Sequence, residues 1–93
     1  MEVTLSSSVQ TEIRDFYAAH PSGDAYPLPP GIRRHLQRGK ALPPGIAKKR
    51  PPAQLQSAIS LQEGYEIIEV GLDVLLVDVA TSIVHDVLSN VVR

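Results

Sequence analysis

Three histidines, a run of serines and seven clustered cations are the residues whose types could do chemistry in this chain, and their spacing narrows what that chemistry is. His20, His35 and His85 lie far apart in sequence, and no two share the one-turn helical spacing that puts ligands side by side. They could meet at a metal only if folding gathered them. His85 and Asp86 are neighbours, and on a helix adjacent side chains point in different directions, so the pair reads as a solvated face rather than a catalytic dyad. Ser6, Ser7 and Ser8 precede an amphipathic segment and read as capping and solvation. The chain has no cysteine, no G-x-S-x-G, no H-E-x-x-H and no phosphate-binding glycine loop. No catalytic residue, metal ligand or cofactor site is therefore assigned, and the expectation is a binding protein rather than an enzyme.

The cations are more informative. Arg33, Arg34, Arg38, Lys40, Lys48, Lys49 and Arg50 make residues 25–62 a +7 segment without a single acid. Residues 1–24 carry Glu2, Glu12, Asp15 and Asp24 against Arg14, a charge of −3; residues 63–93 carry Glu63, Glu66, Glu69, Asp73, Asp78 and Asp86 against Arg93, a charge of −5. The overall charge of −1 thus conceals a basic middle between acidic ends. Such a segment attracts either its own flanks or an outside anion, and these seven residues are the candidate partner-binding surface. A nucleic acid is the less favoured partner: no aromatic residue stands between Tyr26 and Tyr65 to stack on bases, and no DNA-reading motif is present.

The elements that must position these cations follow from periodicity. At 93 residues the chain closes one small core and is one domain. Val9, Ile13, Phe16 and Tyr17 recur at helix spacing and predict a helix over 6–19, with Ser6 as N-cap, Leu5 as the staple residue before it and Phe16 and Tyr17 as core anchors. Residues 20–62 form a Pro-rich basic arm. All eight prolines fall between Pro21 and Pro52, and Leu28-Pro29-Pro30-Gly31-Ile32 returns as Leu42-Pro43-Pro44-Gly45-Ile46, each copy followed by paired cations. Proline can open a helical turn but cannot join a central sheet. The first copy therefore predicts a short helix over 31–38, the second a single turn, and 54–59 one more.

In residues 63–93, Tyr65 to Val70 and Asp73 to Val79 are β-rich runs joined by Gly71-Leu72, the signature of a type II′ hairpin. Its register pairs Val70 with Asp73, Ile68 with Leu75 and Glu66 with Val77. Both faces come out largely apolar, so each needs a cover. Ala80, Ile83, Val84, Val87, Leu88 and Val91 recur at helix spacing and predict a C-terminal helix over one face. The N-terminal helix or a second copy of the chain then covers the other. The fold class expected is α+β: N-terminal helix, Pro-rich basic middle with short helical turns, β-hairpin and C-terminal helix. The apolar stretch from Val70 to Val92 is not read as a membrane span, because Asp73, Asp78 and Asp86 would each cost roughly 2.5 to 3.5 kcal/mol in lipid.

The Ser-rich start with an aromatic pair (Ser6 to Tyr17), Tyr26-Pro27-Leu28-Pro29-Pro30, the basic repeat of Leu42 to Lys49, Gly64-Tyr65 and the run from Asp73 through Ala80-Thr81 to Leu88 together resemble the RcnB family of bacterial periplasmic proteins, within it the CigR-like branch. The resemblance spans nearly the whole chain. It implies a non-enzymatic regulatory or interaction module in the periplasm, its signal peptide removed, with a protein or an anionic envelope component as partner. One branch of the family is linked to nickel and cobalt homeostasis and another to restraint of virulence. An accessory role in nickel and cobalt homeostasis is accordingly the alternative, and a small nucleic-acid binder the second alternative. The resemblance supplies no metal-ligand residues, and the His-rich stretches that suit direct metal binding are absent from the sequence.

Overall fold

In the computed structural model the described residues are 4–21, 31, 32, 34, 41 and 49–92. Helix α1 runs over Ser7–Ala19, as its periodicity predicts. The Ser6 side chain accepts the Val9 amide at 3.3 Å, and Leu5 is buried just ahead of it. Ile13 and Tyr17 are the buried residues of the helix, with Val9 and Phe16 packed against the same cluster. The helix ends where the His20 amide bonds the Phe16 carbonyl, one residue before Pro21. Gly31, Ile32 and Arg34 are helical, which agrees with a short helix after the first repeat. The second copy of the repeat lies outside the described residues. A second short helix, α2 (Ala53–Ala58), buries Leu55.

Strands β1 (Tyr65–Val70) and β2 (Asp73–Asp78) form the expected hairpin, with Val70 opposite Asp73, Ile68 opposite Leu75 and Glu66 opposite Val77. Gly71 has φ +60° while Leu72 stays on the negative side, which is the type II′ pattern.

The C-terminal helix is not there. Val84–Leu88 is instead a third strand, β3, antiparallel to β2, giving a three-stranded sheet of order β1-β2-β3. The register explains the misreading. Leu76 faces Asp86 but Val77 faces Val84, so His85 is an extra residue, a β-bulge. The bulge breaks strict alternation and sends Val84 and Val87, three residues apart, to the same face. Beyond the strand, Asn90 takes φ +57°, and the chain turns so that Val91 and Val92 enter the core. Apolar residues at 84, 87, 88 and 91 have the spacing of a helix face, yet they arise from a bulged strand and the turn after it.

The sheet has a separate core on each face. On one side Ile67, Val74, Leu76 and Leu88 pack with Leu5, Ile13 and Tyr17 of the N-terminal region, Leu55 and Ile59 of the α2 region, and Val91 and Val92. On the other, Ile68, Val70, Leu75, Val77 and Val84 pack with the half-buried Ile32 and Val87. The face left by the N-terminal helix, which the C-terminal helix was expected to cover, is thus buried within the chain itself, with Leu75 at 0% exposure.

Three polar ties hold the layers in register. The Tyr17 hydroxyl donates to Glu69 Oε2 at 2.6 Å. The Leu5 amide donates to Asp86 Oδ2 at 2.9 Å, joining the chain before α1 to β3. Buried Asp73 accepts the Asn90 amide at 3.0 Å, and the Leu72 carbonyl accepts both the Val91 and Val92 amides. His85 and Asp86 are therefore not the solvated helix face expected of them. Asp86 is an internal tether, and His85 sits edge-on to Tyr65 with ring centroids 5.0 Å apart.

Two outcomes test this packing. Leu76→Asp places a charge in the α1-covered core and should cost more than about 4 kcal/mol, enough to unfold a domain of this size. An unchanged melting temperature by circular dichroism would contradict the burial. Tyr17 is pushed well above the ordinary tyrosine value of 10.0, first by burial and then by the hydrogen bond to Glu69 and its negative charge. Its folded-state value being the higher one, its contribution is whole below pH 10.0 and is lost as pH rises further. Tyr17→Phe should cost about 1 to 2 kcal/mol at pH 7 and flatten the alkaline loss of stability in denaturant titrations; an unaltered alkaline profile would remove Tyr17 from that role.

Candidate functional site

The basic arm was expected to lie on the surface, and the described part of it is fastened to the sheet by its backbone while its cations stay outside. Lys49 pairs with Glu69 in an isolated antiparallel bridge, its amide bonding the Glu69 carbonyl at 2.9 Å and its carbonyl taking the Glu69 amide at 2.7 Å. At the opposite edge Ala41 bridges Ile83, the residue before β3. The segment is thereby attached at both edges of a sheet that would otherwise present two unpaired rows of backbone groups. Ile32 provides a third attachment by packing on the Leu75 face.

Of the seven cations singled out from the sequence, Arg34, Lys49 and Arg50 are described, and all three are exposed. Arg33, Arg38, Lys40 and Lys48 lie outside the described residues. Lys49 and Arg50 follow one another at the β1 edge. Arg34 belongs to the helical turn that carries Ile32. None of the three has an ion-pair partner among the described residues.

Where the arm leaves β1 there is a groove of about 210 Å³, lined by Arg50, Gln56, Ile59, Leu61, Tyr65, Glu66 and Ile67. Its position follows from the sequence. Lys49 and Glu69 form a hydrogen-bonded pair, and in an antiparallel ladder the next such pair would join Pro51 to Ile67. Pro51 has no N–H to give, so the ladder stops. The chain turns inward at buried Pro51, whose carbonyl accepts the Gln56 side-chain amide at 2.6 Å, and α2 begins at Ala53. Apolar Ile59, Leu61 and Tyr65 lie beside Arg50 and Glu66, so the groove combines an apolar lining with one charge of each sign.

The histidines are not brought together. His20 stacks on Phe16 with centroids 4.5 Å apart, His85 packs on Tyr65, and His35 lies outside the described residues. Among the described residues no group of three His, Cys, Asp or Glu is placed to hold a metal ion. No described helix is long and apolar enough to cross a membrane.

Sequence reasoning missed the groove, the Tyr17–Glu69 link and the Asp86 tether. Two signals were available. Glu69 shares a strand face with Ile67, where a carboxylate among apolar neighbours calls for a partner, and Pro51 directly after a cationic run marks the end of any edge pairing there.

No family model matches the chain, and no curated protein sequence matches it. Among solved structures it is similar to the C-terminal domain of inner membrane protein CigR from Salmonella enterica, with 34% sequence identity and a TM-score of 0.77 over 88% of this chain and 84% of that one. The comparison bears out the CigR-like part of the resemblance, while the wider RcnB grouping has no matching family model behind it. Identity at this level over most of both chains, joined to the same fold, makes this chain a member of the CigR C-terminal domain family.

Proposed function

We propose that the domain is a non-enzymatic interaction module of the bacterial envelope, exposed to the periplasm, which engages an anionic partner through the cations of its Pro-rich arm. The observation that carries this reading is the combination found at the arm. Its backbone is fixed to the sheet at Lys49 and Ala41, while the Arg34, Lys49 and Arg50 side chains are exposed. Cations held on a fixed frame bind an anion with less ordering cost than cations on a free chain. The similarity to a domain of an inner membrane protein supports an envelope setting, and a restraining, regulatory role fits a domain that binds without reacting.

Co-sedimentation with anionic lipid vesicles and with lipopolysaccharide tests the reading. The wild type should bind weakly at low salt and be released as salt rises. Changing Arg33, Arg34, Lys48 and Lys49 together to Gln should abolish binding and leave the melting temperature nearly unchanged, because the Lys49 bridge is made by backbone and exposed charges contribute little to folding. Equal binding by both proteins, or binding by neither, would count against the arm. Calorimetry with nickel and cobalt should show only nonspecific association, since His20 and His85 are each engaged with an aromatic ring. A stoichiometric micromolar site lost on mutating His20, His35 or His85 would replace this reading with one in metal homeostasis.

A further inference from the structure

We propose that the groove between Arg50 and β1 binds a small zwitterion with an apolar side chain, of the size and chemistry of a free aliphatic amino acid. The inference goes beyond the anionic partner of the arm and does not depend on it. Size sets the first limit. A dry apolar cavity of about 150 Å³ takes benzene, and drug-sized ligands fill about 300 to 1,000 Å³. The groove, at about 210 Å³, falls between them.

Charge narrows the choice further. Arg50 enters the groove from the arm and Glu66 from β1, and neither forms an ion pair with the other or with any other described residue. A purely apolar guest would take both charges out of water without giving either a partner. An anion would meet the Glu66 carboxylate, and a cation the Arg50 guanidinium. A molecule carrying both signs satisfies both, its carboxylate accepting from the guanidinium while its ammonium donates to Glu66. In an α-amino acid those two groups sit on one carbon, which leaves the side chain to lie against Ile59 and Leu61.

The walls are already set. Ile59 and Ile67 are buried members of the α1-covered core, so packing fixes that part of the apolar lining. Leu61 and Tyr65 are half-buried against the same core, which leaves part of each for a guest. The Gln56 side-chain amide is held by the Pro51 carbonyl at 2.6 Å, and the Tyr65 ring by the edge-on contact with His85. Glu66 is half-buried and Arg50 exposed, so a guest reaches both from solvent. A lining fixed in advance spares a ligand most of the ordering cost, and the Arg50 side chain is the chief group left to immobilise.

The probe is L-leucine, titrated into the full chain and followed by amide NMR. Saturable binding is expected, with the largest shifts at Ile59, Leu61, Glu66 and Ile67. Glycine, which lacks the side chain, should bind at least about tenfold more weakly. N-acetyl-L-leucine lacks the ammonium and L-leucinamide the carboxylate, and each should bind about fivefold more weakly than leucine, as for partly exposed ion pairs. Glu66→Gln should remove the preference for leucine over N-acetyl-leucine, and Arg50→Gln the preference for leucine over leucinamide, each leaving the other preference in place. The ligand series on the wild type tests the same contacts without a substitution. No saturable leucine binding, equal binding by the three leucine compounds, or preferences that survive both substitutions would overturn the proposal. If the wild type still sediments with vesicles in that case, the role of the arm stands. Conversely, the variant with Arg33, Arg34, Lys48 and Lys49 changed to Gln should keep leucine binding even where it loses the vesicles.

Discussion

The central strand β2 is apolar on both faces, and a 93-residue chain must cover each of them. Val74 and Leu76 point to one side, Leu75 and Val77 to the other, and all four are buried. Each such side chain stabilises the fold by about 1.5 to 3 kcal/mol when removed from water, but only if a cover exists for its face. The N-terminal region, the α2 region and the last two described residues supply one cover, and Ile32 belongs to the other. The Pro-rich arm is consequently part of the fold as well as the carrier of the cations.

The same constraint explains the polar ties. A two-sided sheet holds its covers in one arrangement only if they are fixed in register, which apolar contact alone does poorly. Tyr17 to Glu69 fixes α1 on β1, Asp86 to the Leu5 amide fixes the start of α1 on β3, and Asp73 to the Asn90 amide fixes the chain's last turn. Glu69 has a double role, since its side chain holds α1 and its backbone holds Lys49. The cover of one face and the cationic segment thus meet on a single residue of the edge strand.

Local chemistry made some of this legible in the sequence and hid the rest. Ser6, the Val9-Ile13-Phe16-Tyr17 spacing and Gly71-Leu72 each specify their structure within a few residues, and α1 and the hairpin register follow them. The expectation that both hairpin faces need covering was also sound. The C-terminal helix failed because a bulge at His85 gives a strand the three-residue spacing of a helix, and nothing short of the pairing partner reveals it. The β-branched residues Val84 and Val87 and the residue pair Ser89-Asn90 favoured strand and turn, but helical periodicity outweighed them. The candidate surface was legible as charge. Its attachment was not, because the partners Glu69 and Ile83 lie more than a repeat away in sequence from Lys49 and Ala41.

If one chain buries both faces of β2, native-state hydrogen exchange is independent of protein concentration across the whole strand. The Leu75 and Val77 amides, which bond toward β1, should then exchange only through global unfolding, as slowly as those of Val74 and Leu76 and equally at every concentration. Protection of Leu75 and Val77 that grows with protein concentration would contradict it, because the second face would then owe its cover to another copy.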